Sequence, residues 1–93
     1  MNLMEPKFEI GKTYATAAVV AWAERHGIDL TRFLRRHHCG DWGSLDEEDK
    51  QANQDALTDG GRIFSSYLIE GEKIYLITES NRSHTTILFS SEY

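Results

Sequence analysis

The side chains best suited to chemistry crowd into one short run: His37, His38 and Cys39, with Asp41 two residues on. Imidazole, thiolate and carboxylate all bind transition metals, and a thiol beside histidines can act as a nucleophile. The spacing argues against both roles. Neighbours on a helix point about 100° apart, so His37 and His38 cannot easily grip one ion together. No second ligand pair at structural-zinc spacing occurs elsewhere in the chain. Nearby arginines and histidines could favour a thiolate at Cys39, but a position at a helix C-terminus opposes one. The expectation is no metal and no cofactor, with His37 closing the inner stripe of a helix and Cys39 a half-buried thiol.

Two charged runs offer weaker chemistry. Asp46, Glu47, Glu48 and Asp49 could supply paired carboxylates, yet four acids in the first turn of a helix serve its dipole and solvation. Arg25, Arg32, Arg35 and Arg36 form a basic patch that could contact phosphates; a solvated or salt-bridged helix face is the plainer reading. Gly60-Gly61 and the Gly40-Asp41-Trp42-Gly43 run match neither the phosphate loop nor the dinucleotide fingerprint. Trp42, set between glycines, reads as a lid on the core or as an anchor for a partner.

The elements that must position these residues are legible. From Arg62 to Phe89 the chain reads as two hairpins, RIFSSYLI, KIYLITE and HTTILF, broken at Glu70-Gly71 and at Ser80 to Ser83. A two-residue turn with Gly71 at positive φ sets Tyr67 opposite Ile74, Ser65 opposite Leu76 and Ile63 opposite Thr78. A four-residue second turn sets Leu76 opposite Ile87, Ile74 opposite Phe89 and Thr78 opposite Thr85. One face then carries Ile63, Tyr67, Ile69, Ile74, Leu76, Ile87 and Phe89, enough to seat helices. The other carries Phe64, Leu68, Tyr75, Ile77 and Leu88 among charged residues, which is too apolar for an ordinary wet face.

Upstream, Phe8 to Tyr14 could add a short edge strand, and residues 1–7 read as a tail. Thr16 can cap a helix from Ala17 to His26, ended by Gly27, with Ala18, Val19, Ala21 and Trp22 as its apolar residues and Val20 a candidate fifth. Asp29 can cap a second helix to about His38, with Leu30, Phe33, Leu34 and His37 at i, i+3, i+4 and i+7. Ser44 with Glu47 matches the capping box and opens a third helix reaching about Thr58.

Ninety-three residues make one domain, 1–93. The net charge of −5 argues against broad nucleic-acid binding, and the single cysteine excludes an internal disulfide. The start lacks the apolar stretch of a signal peptide, and Ala17 to Ala23 is too short to span a bilayer. A cytoplasmic protein is expected, with no membrane partner.

Three stretches carry a resemblance: Gly40-Asp-Trp-Gly-Ser-Leu with Glu48-Asp49-Lys50 and Asn53, then Ile77 to Leu88, then Ser91-Glu92-Tyr93. They resemble a family of small proteins borne on bacterial plasmids, phages and integrated elements, over about Ile10 to Tyr93. The likeness departs at the N-terminal tail and around His37, His38 and Cys39. Some members are labelled as a type I restriction methylation subunit, a label that does not fit a chain too short for a methyl-donor domain. The resemblance implies the setting of mobile-element accessory genes, several of which counter host defences. It implies no catalytic residues.

The expected fold is α+β, a three-stranded antiparallel meander with two to three helices on it and a possible N-terminal edge strand. The expected function is non-enzymatic protein binding, to a host defence component or to a second copy. Phe64, Leu68, Tyr75, Ile77, Leu88 and Trp42 are the candidate contact residues. The alternative is a nucleic-acid binder working through Arg25, Arg32, Arg35 and Arg36.

Overall fold

A computed structural model describes residues 5–93. The elements run β1 (Lys12–Ala15), α1 (Ala17–His26), α2 (Leu30–His38), α3 (Glu47–Asp59), β2 (Ile63–Ile69), β3 (Glu72–Thr78), β4 (His84–Phe89) and a closing 3-10 turn (Ser90–Glu92). The class is α+β, and the hairpins set its frame. Glu70 and Gly71 both lie in the left-handed region (φ 50° and 78°), the backbone of a tight primed turn. That turn fixes Tyr67↔Ile74, Ser65↔Leu76 and Ile63↔Thr78, and the next loop fixes Leu76↔Ile87, Ile74↔Phe89 and Thr78↔Thr85. Every cross-strand pair expected from the sequence is present.

The sheet corrects the expected meander. It has four strands in the order β1-β4-β3-β2, and β1 pairs with β4 in parallel. The first strand is also shorter than Phe8 to Tyr14. Gly11 stops it at the N-terminal side, with φ 63° and a Cβ position only 2.3 Å from the Ser83 carbonyl oxygen. A parallel partner requires a long crossover. Here α1 to β3 supply it, and four residues of weak alternation carry no sign of their partner.

α1 and α2 begin and end where their caps dictate. The Thr16 hydroxyl accepts from Val19 N–H (3.3 Å), Asp29 accepts from Thr31 N–H (3.0 Å), and Gly27 takes φ 64°. Val19, Trp22 and Ala23 are the buried residues of α1, whereas Ala18 and Ala21 face solvent. The third helix starts two residues later than its capping-box pattern suggests. Asp46, not Ser44, is the N-cap, accepting from Asp49 N–H at 2.8 Å. Ser44 is drawn away to the sheet.

The main core joins Val19, Trp22 and Ala23 to Tyr67, Ile69, Ile74, Leu76 and Ile87, on one face of the sheet. A smaller cluster unites Trp42, Ala56 and Ile63, with Phe8, Leu45 and Leu57 around it. Of the expected tail, residues 1–4 lie outside the described residues. Lys7 N–H donates to the His38 carbonyl (2.9 Å) and Phe8 packs near Trp42, so this stretch is tied to the end of α2.

Candidate functional site

His37, the most reactive side chain by type, is wholly buried and fully engaged. Its Nδ1 lies 2.5 Å from Ser65 Oγ and its Nε2 2.8 Å from Thr78 Oγ1. Thr78 Oγ1 meets Thr85 Oγ1 at 2.6 Å, and Thr85 donates to the Ile10 carbonyl at 2.8 Å. Donor counting fixes the tautomer. A hydroxyl has one hydrogen, so Thr85 spends its own on Ile10 and accepts from Thr78. Thr78 therefore accepts from His37 Nε2–H, and Nδ1 accepts from Ser65. A neutral imidazole satisfies the whole chain. Burial, with a smaller push from His38, takes the His37 pKa down to about 3. This is a pin fastening α2 to β2, β3 and β4, and it leaves no lone pair for a substrate.

The outer edge of β2 is closed by a second set of polar contacts. Asn53, 3% exposed, donates to the Phe64 carbonyl (2.6 Å) and accepts from Phe64 N–H (3.0 Å), as a neighbouring strand would. Two residues on, Ser66 N–H donates to the Trp42 carbonyl (3.2 Å) and Ser44 N–H to the Ser66 carbonyl (2.7 Å). The Ser44 hydroxyl donates to that same carbonyl at 3.0 Å. The close approach needs Gly43: its φ is 77°, and a Cβ there would stand 2.1 Å from Ser66 O. Arg82 locks the far end of α3, donating to the carbonyls of Ala56 (3.0 Å) and Gly61 (2.6 Å). Gly43, Ser44, Asn53 and Arg82 thus all act on the backbone around β2 and the end of α3. Their work in this chain is structural.

The sheet face opposite the main core brings most candidate contact residues together, bordered by the start of α3. Phe64 and Tyr75 meet edge to face, with ring centroids 4.5 Å apart. Ile77 pairs with Phe64 inside the sheet, and Leu88 pairs with Tyr75. Leu68 stands apart near the hairpin end opposite Lys73, 70% exposed. Trp42 does not join them. It is 7% exposed and packs with Ile63 and Ala56 on the other side, which makes it a lid on the core.

Ile77 and Leu88 are also buried, and the chain's last residues pack on this face against Phe64 and Tyr75. Glu92 accepts from Phe89 N–H and from the Thr16 hydroxyl, each at 2.8 Å, and holds the closing turn down. Tyr93 then lies beside Phe64 and Tyr75, its hydroxyl 3.4 Å from Arg62 Nη1. The sequence signal for this packing was Ser91-Glu92-Tyr93, an aromatic end following a strand whose outer face is apolar. The open part of the surface is therefore Leu68, Lys73 and Tyr93, with Phe64 and Tyr75 half-buried between them.

Three of the four candidate arginines share one groove, and Arg25 lies apart. Arg36 gives its Nε to Asp41 (2.7 Å) and lies over the Tyr67 ring, 4.7 Å from its centroid. That hydrogen bond raises the Arg36 pKa and holds Asp41 below the usual carboxylate range. Arg32, Arg35 and Arg36 together line an open groove of about 410 Å³ that also contains Asp29 and Thr31. Arg25 sits on α1, exposed and outside that groove. Cys39 is the half-buried C-cap of α2. Among the described residues no three histidine, cysteine or acidic side chains are grouped to hold a metal ion, and no helix is long and apolar enough to cross a membrane. Comparison of the chain with family models, curated proteins and solved structures gives no match.

Proposed function

We propose that this chain is a small non-enzymatic protein-binding module, an accessory protein of a bacterial mobile element that blocks a host defence complex of the anti-CRISPR or anti-restriction type. The observation that carries the binding reading is Leu68, 70% exposed opposite Lys73, on the sheet face that also carries Phe64 and Tyr75 with Tyr93 beside them. Large apolar side chains clustered with aromatics and a cation are the ingredients of an interface centre. The backbone supports the same corner. Phe64 and Ser66 have their outward groups capped, but the next outward residue, Leu68, has no such cap among the described residues. The mobile-element setting rests on the resemblance at Gly40 to Leu45, Ile77 to Leu88 and Ser91 to Tyr93.

The test is a plasmid-challenge assay in bacteria carrying a CRISPR or restriction system. Expression of the chain should raise transformation, and Leu68→Asp combined with Tyr93→Asp should abolish that gain while leaving the circular dichroism spectrum and melting point near wild type. Protection that survives in the folded double variant would remove this surface from the mechanism. Failure to protect against any system tried would remove the anti-defence reading.

A further inference from the structure

We propose that β1 is the seam of a two-fold dimer, pairing antiparallel with β1 of a second copy to make one continuous eight-stranded sheet. The proposal is independent of the Leu68 surface, which lies at the opposite edge. The backbone parity is settled by the parallel ladder. Lys12 N–H donates to Ser83 O and Thr16 N–H to Ile87 O, with Tyr14 in register with Thr86 between them. Residues 12, 14 and 16 therefore turn their backbone groups toward β4. Thr13 and Ala15 turn theirs outward, and neither has a backbone partner among the described residues. Lys12, Thr13 and Tyr14 are all exposed, and Tyr14 is 53% accessible. An edge of this kind is a template for another strand.

The occupant is a second copy because the edge is complementary to itself. With the two-fold axis through Tyr14, Thr13 of one copy stands opposite Ala15 of the other. Both are outward residues, so each pair exchanges two N–H···O bonds and the seam gains four. Tyr14 then opposes Tyr14 at the closely spaced, non-hydrogen-bonded position, on the face where it already touches His84. Lys12 opposes Thr16. That hydroxyl donates to Glu92, so each lysine is brought beside the other copy's carboxylate. Backbone, aromatic and charge complementarity all hold in one register, as an isologous interface requires. The seam is small, which places it in the weak, concentration-dependent class.

Sedimentation equilibrium of the full chain, from about 1 μM to about 1 mM, should show reversible dimerisation. Thr13→Pro deletes an outward N–H without touching the ladder to β4, and should weaken the dimer at least about tenfold. Lys12→Glu should weaken it too, and Lys12→Glu with Glu92→Lys should recover part of the loss. A second readout survives any folding defect of those variants. In a Cys39→Ser background, Tyr14→Cys should form an intermolecular disulfide rapidly under mild oxidation, because facing positions of this kind suit disulfide geometry, and Leu68→Cys should not. A chain that stays monomeric throughout the range overturns the proposal and leaves the edge to a strand of another protein. Equal cross-linking at Tyr14→Cys and Leu68→Cys overturns it as well.

Discussion

The sheet has two edges that the chain treats in opposite ways. At β2, a helix and a loop are spent on closure. Asn53 imitates a strand at Phe64, Gly43 lets the loop carbonyl and amide reach Ser66, and His37 pins α2 just before that loop. At β1 nothing comparable is found among the described residues: four residues, three of them exposed, end the sheet. Unpaired edges are a hazard that folded proteins usually blunt. A chain that closes one edge so thoroughly and leaves the other bare is distinguishing between them. The closure at Phe64 and Ser66 serves stability; on the proposal above, the bare edge serves association.

Gly43→Ala should break the closed edge most severely. The new Cβ would lie 2.1 Å from a backbone oxygen that is itself held in the sheet, so the loop must lift from Ser66. The loss should be about 3 kcal/mol or more, or outright failure to fold. Gly27→Ala is the control. It has the same sign of φ, but nothing within 4 Å of the added methyl. Its cost should be about 1 kcal/mol, from αL strain alone. Equal urea midpoints for the two variants would mean that the loop is not clamped.

Acid should loosen the same side next. His37 keeps a pKa of about 3 in the folded chain against 6.5 when exposed. Stability from this residue is complete above pH 6.5. It falls as the pH drops from there toward 3, since the unfolded chain takes up a proton that the folded chain refuses. The slope is about 1.4 kcal/mol per pH unit through that window. The lowered pKa values of Asp29 and Asp41 add losses only below the ordinary carboxylate value of 3.8. Urea midpoints at pH 6.5, 5.5 and 4.5 therefore isolate His37, and a flat series would mean that the imidazole is solvated.

Asn53→Ala removes both halves of the strand mimic and leaves Phe64 N–H and C=O unpaired. About 2–3 kcal/mol should be lost, read as a lower melting temperature. Hydrogen exchange at the Phe64 amide should rise while the β3 amides stay protected.

These residues also show how far sequence reaches. The register of β2, β3 and β4 was legible because turn chemistry is local: Glu70-Gly71 admits few backbones, and a period of two then propagates each pair. The caps of α1 and α2 were legible for the same reason. Ser44 was not. Its Ser-x-x-Glu pattern satisfies the capping rule, yet the hydroxyl has a tertiary alternative in Ser66 O, and Asp46 takes the cap. Asn53 carried one overlooked hint, a carboxamide in the middle of a helix with few apolar residues to hold it. The contact surface was half legible. Alternation placed Phe64, Leu68, Tyr75, Ile77 and Leu88 on one face, but a period of two says nothing of Tyr93 over it and left Trp42 open between lid and anchor.

The caps give a smaller effect with a clear sign. Asp46→Ala should cost about 1 kcal/mol by freeing Asp49 N–H. Ser44→Ala should cost a similar amount for another reason, the loss of a bond to the sheet edge. Fraying separates them. Asp46→Ala should raise hydrogen exchange in the first turn of α3, and Ser44→Ala should raise it at Ser66 instead.

The smallest effect belongs to the bare edge. Thr13→Pro removes an amide hydrogen that points away from β4, so no bond within one copy is lost. Proline is tolerated on edge strands whose N–H faces outward, and it restricts Lys12 to the extended backbone it already has. At a concentration where the chain is monomeric, the melting temperature should change by no more than about 2–4 °C, about 0.5 kcal/mol. At high concentration the wild type should melt above the variant, because any association of folded chains adds to their stability. A large loss in the dilute monomer would show that Thr13 N–H has a partner within the chain. The two edges would then differ in degree and not in kind.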